Sequence, residues 1–599
     1  CDGSALQIGG IARAGAQVAN PLTGKVDEIR ISSVLRVPPK DAPAAPVAPD
    51  GDTRLLMHLD EGRGAPEALS FGPAPEPDPP AMFEEQGTCY AVYDFLERFC
   101  GVRWFNPTDF GTDYPSTKTL VVQGAEVRRA PFFRFRQVHP AGLRYDSGTG
   151  LWHVDSDGYR RYDEAAYAEL HKKWPSAGAY TRAKRRQMDA FLCRMRAGGE
   201  ASAVNHSFYG YYDRFLKTNP DWFAKGYEGR SPQLCCTHPE VIRQVVQDAR
   251  DFFDGKPVPS LPGFLAPGSD YFPLEPMDNS RYCQCDRCKP WIRERESYTG
   301  WSSGVHSDYI FQFVNEVARQ VRQTHPNKWV AILAYHSHTA VPQRVKIEPN
   351  VIVHFCFACN RLFYDRLEYE NELRLFNEWV TREKGRPLYL WLYYTFPTEI
   401  AWHSKGAWHA FPGYFVHTLD RQFKMFHQHG LRGMFHCGYG QEVEAYVTLR
   451  LMDDPTLDAE ALLDEYFSRL YGAAAKPLKE FYLKVEDAYS TPARYPPEFF
   501  VKCHEKGQPG HQTEEIAWGH LGTPKLMDEL GKLMASAKDL AKSDLEKARV
   551  RLFEKAVWDY LVESRRKYDA RAAEREQRKA FEPKREAMRQ AAPPKVRVP

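Results

Sequence analysis

From residue 131 onward, short apolar runs alternate with stretches in which apolar residues recur every three or four positions. The runs read as strands: Phe132 to Val138, Ala203 to Phe208, Asp270 to Glu275, Trp329 to His336, Val351 to Phe357, Leu388 to Tyr394 and Arg432 to His436. Helical patterns fall between them. Thr237-His238-Pro239-Glu240 has the spacing of a capping box with proline in the first turn, and Val241, Val245 and Phe252 continue as a buried stripe. Ile310, Phe313, Val314, Val317 and Val321 form another. This alternation predicts an α/β fold, a (β/α)8 TIM-like barrel over residues 131–446, in preference to a sandwich. The count is seven strands, so either Gln233-Leu234-Cys235-Cys236 supplies the eighth or the barrel is irregular.

The flanks follow other patterns. In Gln86 to Phe99, Cys89, Val92, Tyr93, Leu96 and Phe99 share one helix face, and Gly101 follows where a helix can stop. With the strands expected at Val102 to Phe105 and Thr119 to Val122, this makes a small, shortened N-terminal α/β domain over residues 49–130. Before it, residues 1–48 hold an alternating strand, Gly24 to Ser32, and the start of a Pro/Ala-rich linker, Pro38 to Pro49. Arg54 to Gly62 reads as a second short strand. Past the barrel, residues 447–580 read as a helical domain. Leu462, Leu463, Tyr466, Phe467 and Leu470 form a stripe ending at Gly472. Leu526, Leu530, Leu533, Met534 and Ala537 face a helix opened by the capping box Ser543-Asp544-Leu545-Glu546 and continued by Val550, Phe553, Val557 and Leu561. Residues 581–599 are expected to be a basic disordered tail.

Composition narrows the partners. Eighty Lys plus Arg against 78 Asp plus Glu leave a net charge of +2, which gives no reason to expect nucleic acid or an anionic membrane. Aromatics make up 13% of the chain, with 13 Trp and 32 Tyr, and such side chains suit the flat apolar faces of sugar rings. No apolar run approaches the roughly 20 residues of a spanning helix, so the chain is expected to be soluble as it stands. It starts at Cys1 without Met or a secretory leader, which reads as a fragment or a processed form.

A barrel of this kind places its active site at the carboxyl ends of its strands. The residues expected there are Asn205 and His206, Glu275 and Asp278, Tyr335 and His336, His354, Trp391, Tyr393, Tyr394 and His436. Glu442 and Glu444 follow the last strand, and Glu399, Trp402 and Trp408 fall in the loop after the sixth. The densest chemistry is in Pro273-Leu274-Glu275-Pro276-Met277-Asp278-Asn279, which runs into Cys283-Gln284-Cys285-Asp286-Arg287-Cys288. Paired carboxylates at a strand end suit acid/base hydrolysis of a glycosidic bond. Three thiols at Cys283, Cys285 and Cys288 could bind zinc, but a closed site takes four ligands and the sequence identifies no fourth. A disulfide or reduced structural thiols remain open there, and no metal or other cofactor is assigned. A metal-dependent hydrolase built on His206, His336, His354 and His436 is a further reading.

Several separated motifs also carry a family resemblance. Gly87 to Arg98 with Gly101 to Phe105 resembles the N-terminal domain that precedes the barrel in α-glucuronidases and β-hexosaminidases. Asn219 to Phe223, Glu275 to Asn279 with the three-cysteine group, and the Glu442 region followed by Leu449 to Pro455 resemble the bacterial domain of unknown function 4838. That domain overlaps glycoside hydrolase family 163, whose characterised activity is endo-β-N-acetylglucosaminidase action on N-glycans. The resemblance covers roughly residues 81–490, and the chain departs from it at Asn279, where the family usually carries Gly or another small residue. The two N-terminal strands resemble the last and first strands of laminin-G-like or concanavalin-like sandwiches, too close together for a whole module.

The resemblance implies a glycoside hydrolase acting on a complex glycan, secreted or periplasmic, without a cofactor. Glu275 would then be the general acid, held protonated by apolar walls, and Glu442 the opposing carboxylate across the mouth. Asp278 would orient a sugar hydroxyl or an N-acetyl group, and its role can be exchanged with that of Glu275. Asn205, His206, Tyr335, His336, Tyr393, Tyr394 and His436 would contact sugar, with Trp391 stacked on a ring. If the N-acetyl carbonyl is itself the nucleophile, adjacent acids suffice and Glu442 falls to binding. The alternative is a non-catalytic carbohydrate-binding protein on the same barrel.

Overall fold

Strand formation in the centre of the chain follows the β-branched and aromatic runs. The sheet holds seven strands: β1 (Phe135–Val138), β2 (Gly198–Gly199), β3 (Tyr271–Pro273), β4 (Trp329–Ala334), β5 (Val351–Phe357), β6 (Leu388–Tyr393) and β7 (Gly433–Cys437). Their order is β2-β1-β7-β6-β5-β4-β3, and every pair is parallel except β2 with β1. The computed structural model describes residues 79–115, 120–122, 127–138, 177–202, 204–259, 268–294, 301–359, 366–394, 410–437, 442–497, 512–572, 574 and 576, together with short strands at 24–26, 28–32, 53–58, 69–70, 145–146 and 151–152. The linker, the loop with Glu399, Trp402 and Trp408, and the C-terminal tail lie outside these residues.

The result is an irregular, barrel-like α/β sheet flanked by helices. Its inner face carries Phe135, Ala331, Leu333, Ile352, Cys356, Tyr389 and Phe435, while alternate residues such as Ile332, Val353, Leu390 and Met434 pack into the helical layer. The irregularity sits between β1 and β3. The stretch expected as a strand from Ala203 to Phe208 forms none over its described residues, 204–208; Gly198 and Gly199 pair with β1 at one end, and Ser207 bonds to Glu275 at the other. Gln233 to Cys236 contributes only an isolated bridge, Phe223 to Leu234.

The helix Pro239–Phe253 begins as its proline predicts, but His238 is its cap, with the ring Nδ1 accepting from Glu240 N–H at 3.2 Å. Thr237, the expected cap, instead places its hydroxyl 3.1 Å from Cys288 Sγ. Further on, Ser543 and Glu546 form the capping box their spacing announces, and Gly472 ends the helix Ala459–Tyr471 at φ +50°, which favours glycine. The helices Ala475–Ser490, Pro524–Leu540, Asp544–Phe553 and Asp559–Ala570 form a C-terminal helical segment. No helix among the described residues is long and apolar enough to cross a membrane.

A buried ion network ties the N-terminal region to the barrel. From the helix Gly87–Arg98, Asp94 bonds Arg129, and Arg196 reaches Asp94 at 2.6 Å and Glu97 at 2.5 Å. Arg129 continues to Asp453 at 2.9 Å, and Arg450 to Glu97 at 2.9 Å, both on the last barrel helix Glu442–Asp453. Arg196 is 1% exposed, and removing its charge takes the shared cation from two shielded carboxylates, leaving Asp94 with Arg129 and Glu97 with Arg450. Arg196→Met is expected to cost about 3–5 kcal/mol. Arg98→Met, which removes an exposed partner 3.9 Å from Asp94, is expected to cost under about 1 kcal/mol. Urea unfolding of the two variants beside the parent checks the contrast.

Candidate functional site

The site begins where β3 leaves the sheet. Leu274 N–H still donates to Ala331 O at 2.8 Å, but Pro276 cannot continue a ladder. The Glu275 side chain takes over from the strand, its Oε2 accepting Leu333 N–H at 3.0 Å. On the other side Ser207 clasps the same residue: Ser207 N–H donates to Glu275 O, and Glu275 N–H donates to Ser207 Oγ, both at 3.0 Å. A buried amide needs a partner, and a carboxyl oxygen meets that need where the backbone has turned away.

Burial sets the charge of this carboxyl. The Glu275 side chain is 1% exposed, and loss of solvent pushes its pKa up to about 8, opposed by His206 and the Leu333 amide and assisted by Asp278. Its Oε1 lies 3.3 Å from His338 Nε2, while burial pushes His338 down to about 3. At neutral pH both groups are therefore uncharged, and the contact joins a carboxylic acid to a neutral imidazole. His338 Nδ1 is in turn 3.3 Å from the Tyr282 hydroxyl.

Asp278 occupies the opposite environment, with 55% of its side chain exposed. Tyr335 O–H donates to its Oδ1 at 3.2 Å, and its own N–H donates to the Tyr209 hydroxyl at 3.1 Å. His206 Nε2 lies 3.5 Å from the same Oδ1. The other ring nitrogen, Nδ1, is 2.5 Å from Pro276 O; a carbonyl only accepts, so Nδ1 carries the proton. Asn205 Oδ1 accepts from His206 N–H at 2.7 Å and braces the turn. Aromatic rings surround the carboxylate: His206 to Tyr335 is 5.8 Å between centroids, Tyr335 to Trp301 is 6.3 Å, and Trp301 to His336 is 4.2 Å. His336 sits at φ +50°, a strained conformation at the carboxyl end of β4. Trp301 is missing from the sequence-derived site because it lies far from any expected strand end, and Tyr209 because it falls one residue past the expected strand Ala203 to Phe208.

Strand parity separates the remaining candidates. Tyr335, Trp391 and Tyr393 pack on the inner cluster from the carboxyl ends of β4 and β6. Tyr394 and His436 have the other parity: both are fully buried, stacked at 4.6 Å, with Tyr394 also stacked on Phe415 and its hydroxyl donating to Gln422 Oε1 at 2.6 Å. The structure thus places them in the helical layer, away from the mouth. His354 stacks on Tyr389 at 4.8 Å inside the barrel. With His354 inside and His436 outside, the four histidines do not surround a common ion. Glu442 accepts from Asn106 Nδ2 at 2.6 Å and lines a cleft with Tyr414, Tyr466 and Arg549, to which no residue around Asp278 contributes. Glu444 is buried, accepts from Phe415 N–H at 3.2 Å, and is pushed up to about 8 by that burial.

The cysteine group acquires a fourth member. Cys235 joins Cys283, Cys285 and Cys288, and the four Sγ atoms lie within 4.8 Å of one another. Among the described residues this is the one group of His, Cys, Asp and Glu arranged to hold a metal ion. Gln233, two positions before Cys235, anchors the Asp278 loop: its Nε2 donates to Met277 O at 2.6 Å and Asn279 O at 2.8 Å, and its Oε1 accepts Met277 N–H at 3.1 Å. Asn279 adds a bond from its Nδ2 to Pro232 O at 3.0 Å.

Residues 106–484 match the family described as Domain of unknown function (DUF4838), and the chain belongs to that family. No curated protein matches it. Among solved structures it is similar to a family 89 glycoside hydrolase from Clostridium perfringens in complex with 2-acetamido-1,2-dideoxynojirmycin, at 10% identity and a TM-score of 0.40, covering 78% of this chain and 54% of that one. Two further structures from Clostridium perfringens, one with the substrate GlcNAc-alpha-1,4-galactose and one with PUGNAc, match at 11% identity over the same shares, with TM-scores of 0.38 and 0.37. The chain spans about half the length of these structures.

The buried titratable groups predict a stability maximum near pH 6.5. His306, His338, His354 and His436 are each pushed down to about 3 from 6.5 by burial, so the unfolded chain binds four more protons there below pH 6.5, and stability falls on acidification. Glu275 and Glu444 are raised from 4.5 to about 8, so their contribution is complete below 4.5 and is lost as pH rises to 8. Four histidines outweigh two carboxyls between pH 4.5 and 6.5; above it the two carboxyls are joined by His417, raised from 6.5 to about 9 by its bond to Glu486, whose contribution is likewise lost as pH rises. Each proton contributes a slope of about 1.4 kcal/mol per pH unit. In Glu275→Gln, which keeps an acceptor for Leu333 N–H, the alkaline slope should weaken by about one such step; thermal melts from pH 4 to 9 measure it.

Proposed function

We propose that this member of the DUF4838 family is a glycoside hydrolase whose cleft lies on the β3–β4 side of the barrel mouth. The observation that carries the reading is a division between two acids three positions apart. Glu275 is a neutral carboxylic acid at neutral pH, and Asp278 is a solvent-facing carboxylate held among His206, Tyr209 and Tyr335. A glycosidase needs this asymmetry: one acid to protonate the leaving oxygen and one carboxylate to act on the sugar. The ring wall of Tyr335, Trp301 and His336 offers faces for stacking. Trp391 adds an indole N–H with no hydrogen-bond partner among the described residues, suited to a sugar hydroxyl.

In this reading Asp278, as an acceptor, orients the acetamido N–H of an N-acetylglucosamine unit, so that the acetamido carbonyl attacks the anomeric carbon. Glu275 gives its proton to the departing glycosidic oxygen, and a water later opens the cyclic intermediate. This version needs no carboxylate across the mouth, in keeping with Glu442 being engaged by Asn106 in another cleft. It also agrees with the motif resemblance to family 163 and its endo-β-N-acetylglucosaminidase action on N-glycans. Donation requires a substrate-bound geometry in which Glu275 Oε1, which makes no hydrogen bond among the described residues, meets the substrate.

The 1% exposure of Glu275 favours a second reading, a barrel that holds a glycan through Asp278 and the aromatic wall without cleaving it. Hydrolysis and binding separate the two. For an enzyme, Glu275→Gln should lower kcat on an N-acetylglucosamine-containing N-glycan by about 10²–10⁴-fold while leaving glycan affinity within a few-fold, and wild-type activity should decline above about pH 8. Asp278→Asn should lower both rate and affinity. Binding by the wild type with no cleavage of any such glycan would establish the second reading instead.

A further inference from the structure

We propose that Cys235, Cys283, Cys285 and Cys288 bind one structural zinc ion, and that this knot fixes the loop carrying Asp278. The first argument is metric. A tetrahedron with Zn–S bonds of about 2.3 Å has S···S edges of about 3.8 Å. The contacts are 3.9 Å for Cys235 to Cys285, 3.6 Å for Cys235 to Cys288 and 3.5 Å for Cys285 to Cys288. A disulfide would hold two sulfurs at about 2.05 Å, and no pair of the four is so joined.

The second argument is the surroundings. Cys235 is 2% exposed, and Cys283 and Cys288 are fully buried, which leaves little room for a water or substrate ligand and marks a closed structural site. Donors converge on the sulfurs, as thiolates require. Lys225 N–H donates to Cys283 Sγ at 3.4 Å, and the Thr237 hydroxyl lies 3.1 Å from Cys288 Sγ. The Tyr309 hydroxyl accepts Cys236 N–H at 3.1 Å and lies 3.5 Å from Cys288 Sγ, so its own proton can point at the sulfur. Thr237 is also the residue diverted from the expected helix cap. Loading is a balanced exchange: four thiols release four protons, four Zn–S bonds form, and no oxidation state changes.

The consequence for the site runs through Gln233. A metal held by Cys235 and by the 283–288 turn pins both ends of a short circuit, and Gln233 bridges it by bonding Met277 and Asn279 on either side of Asp278. The zinc proposal itself stands independently of whether Asp278 acts on a substrate, so its test does not use hydrolysis.

The full chain, purified without chelator, should carry about one zinc per chain by elemental mass spectrometry, and its zinc X-ray absorption should fit four sulfurs at about 2.3 Å. Cys285→Ser, at the most exposed of the four ligands, should lose at least about half of the zinc or bind it with one oxygen in the shell, whereas Cys100→Ser outside the group should keep it all. Stripping with phenanthroline should lower Tm and speed amide exchange at Met277 and Asp278, and added Zn²⁺ should reverse both. A chain that takes up no zinc when reduced and supplied with Zn²⁺, a disulfide among the four, iron-type visible absorption, or Cys285→Ser with unchanged zinc and shell would each overturn the proposal.

Discussion

One hydrogen bond, from the Leu333 amide to the Glu275 carboxyl, lets the polypeptide leave the sheet without leaving an unpaired amide behind. A parallel strand that stops inside a barrel strands the N–H groups of its neighbour, and in a dry interior each such group is costly. Here a side chain fills the vacancy in the ladder, and Ser207 from the 204–208 segment closes the other flank. Because the ladder is satisfied at Glu275, the next residues are free to turn. Pro276 directs them outward, Asp278 reaches solvent beside Tyr335, and the chain runs back to bring Cys283, Cys285 and Cys288 onto Cys235.

The same constraint explains why two nearby acids differ in environment. Closing the sheet requires Glu275 to be enclosed, and enclosure favours its neutral form, which still offers an oxygen to an amide. Asp278, past the proline, keeps its water and its hydroxyl and imidazole neighbours. The buried acids at Asp94 and Glu97 show the other solution. Three arginines, Arg129, Arg196 and Arg450, accompany them and join the N-terminal helix to the last barrel helix. Glu275 thus serves as a neutral acceptor, and Asp94 and Glu97 as members of a dense ion network.

Parity marks the limit of what the residues announced. Val351 to Phe357 is a strand with the predicted bounds, and Leu388 to Tyr393 falls one residue short of its expectation. Which face of each strand looks inward is a different matter. Both faces of a barrel strand are apolar, so alternation carries no polar mark to separate Trp391 and Tyr393 inside from Tyr394 and His436 outside. Cys235 was hidden similarly: within Gln233-Leu234-Cys235-Cys236 it looks like one more small apolar residue, and nothing local points to a ligand partner far along the chain. Thr237 carried the spacing of a cap, yet a competing sulfur took its hydroxyl.

The sequence by itself determined the alternation of strand and helix, the α/β class and the helix ends at Pro239, Gly472 and Ser543, because these rest on interactions between residues a few positions apart. Tertiary structure alone decided that Glu275 is enclosed and Asp278 exposed, that Glu442 sits with Asn106 in another cleft, and that a fourth thiol completes the cysteine group. Burial, charge state and ligand number are sums over neighbours brought together by the fold. No local pattern contains those neighbours.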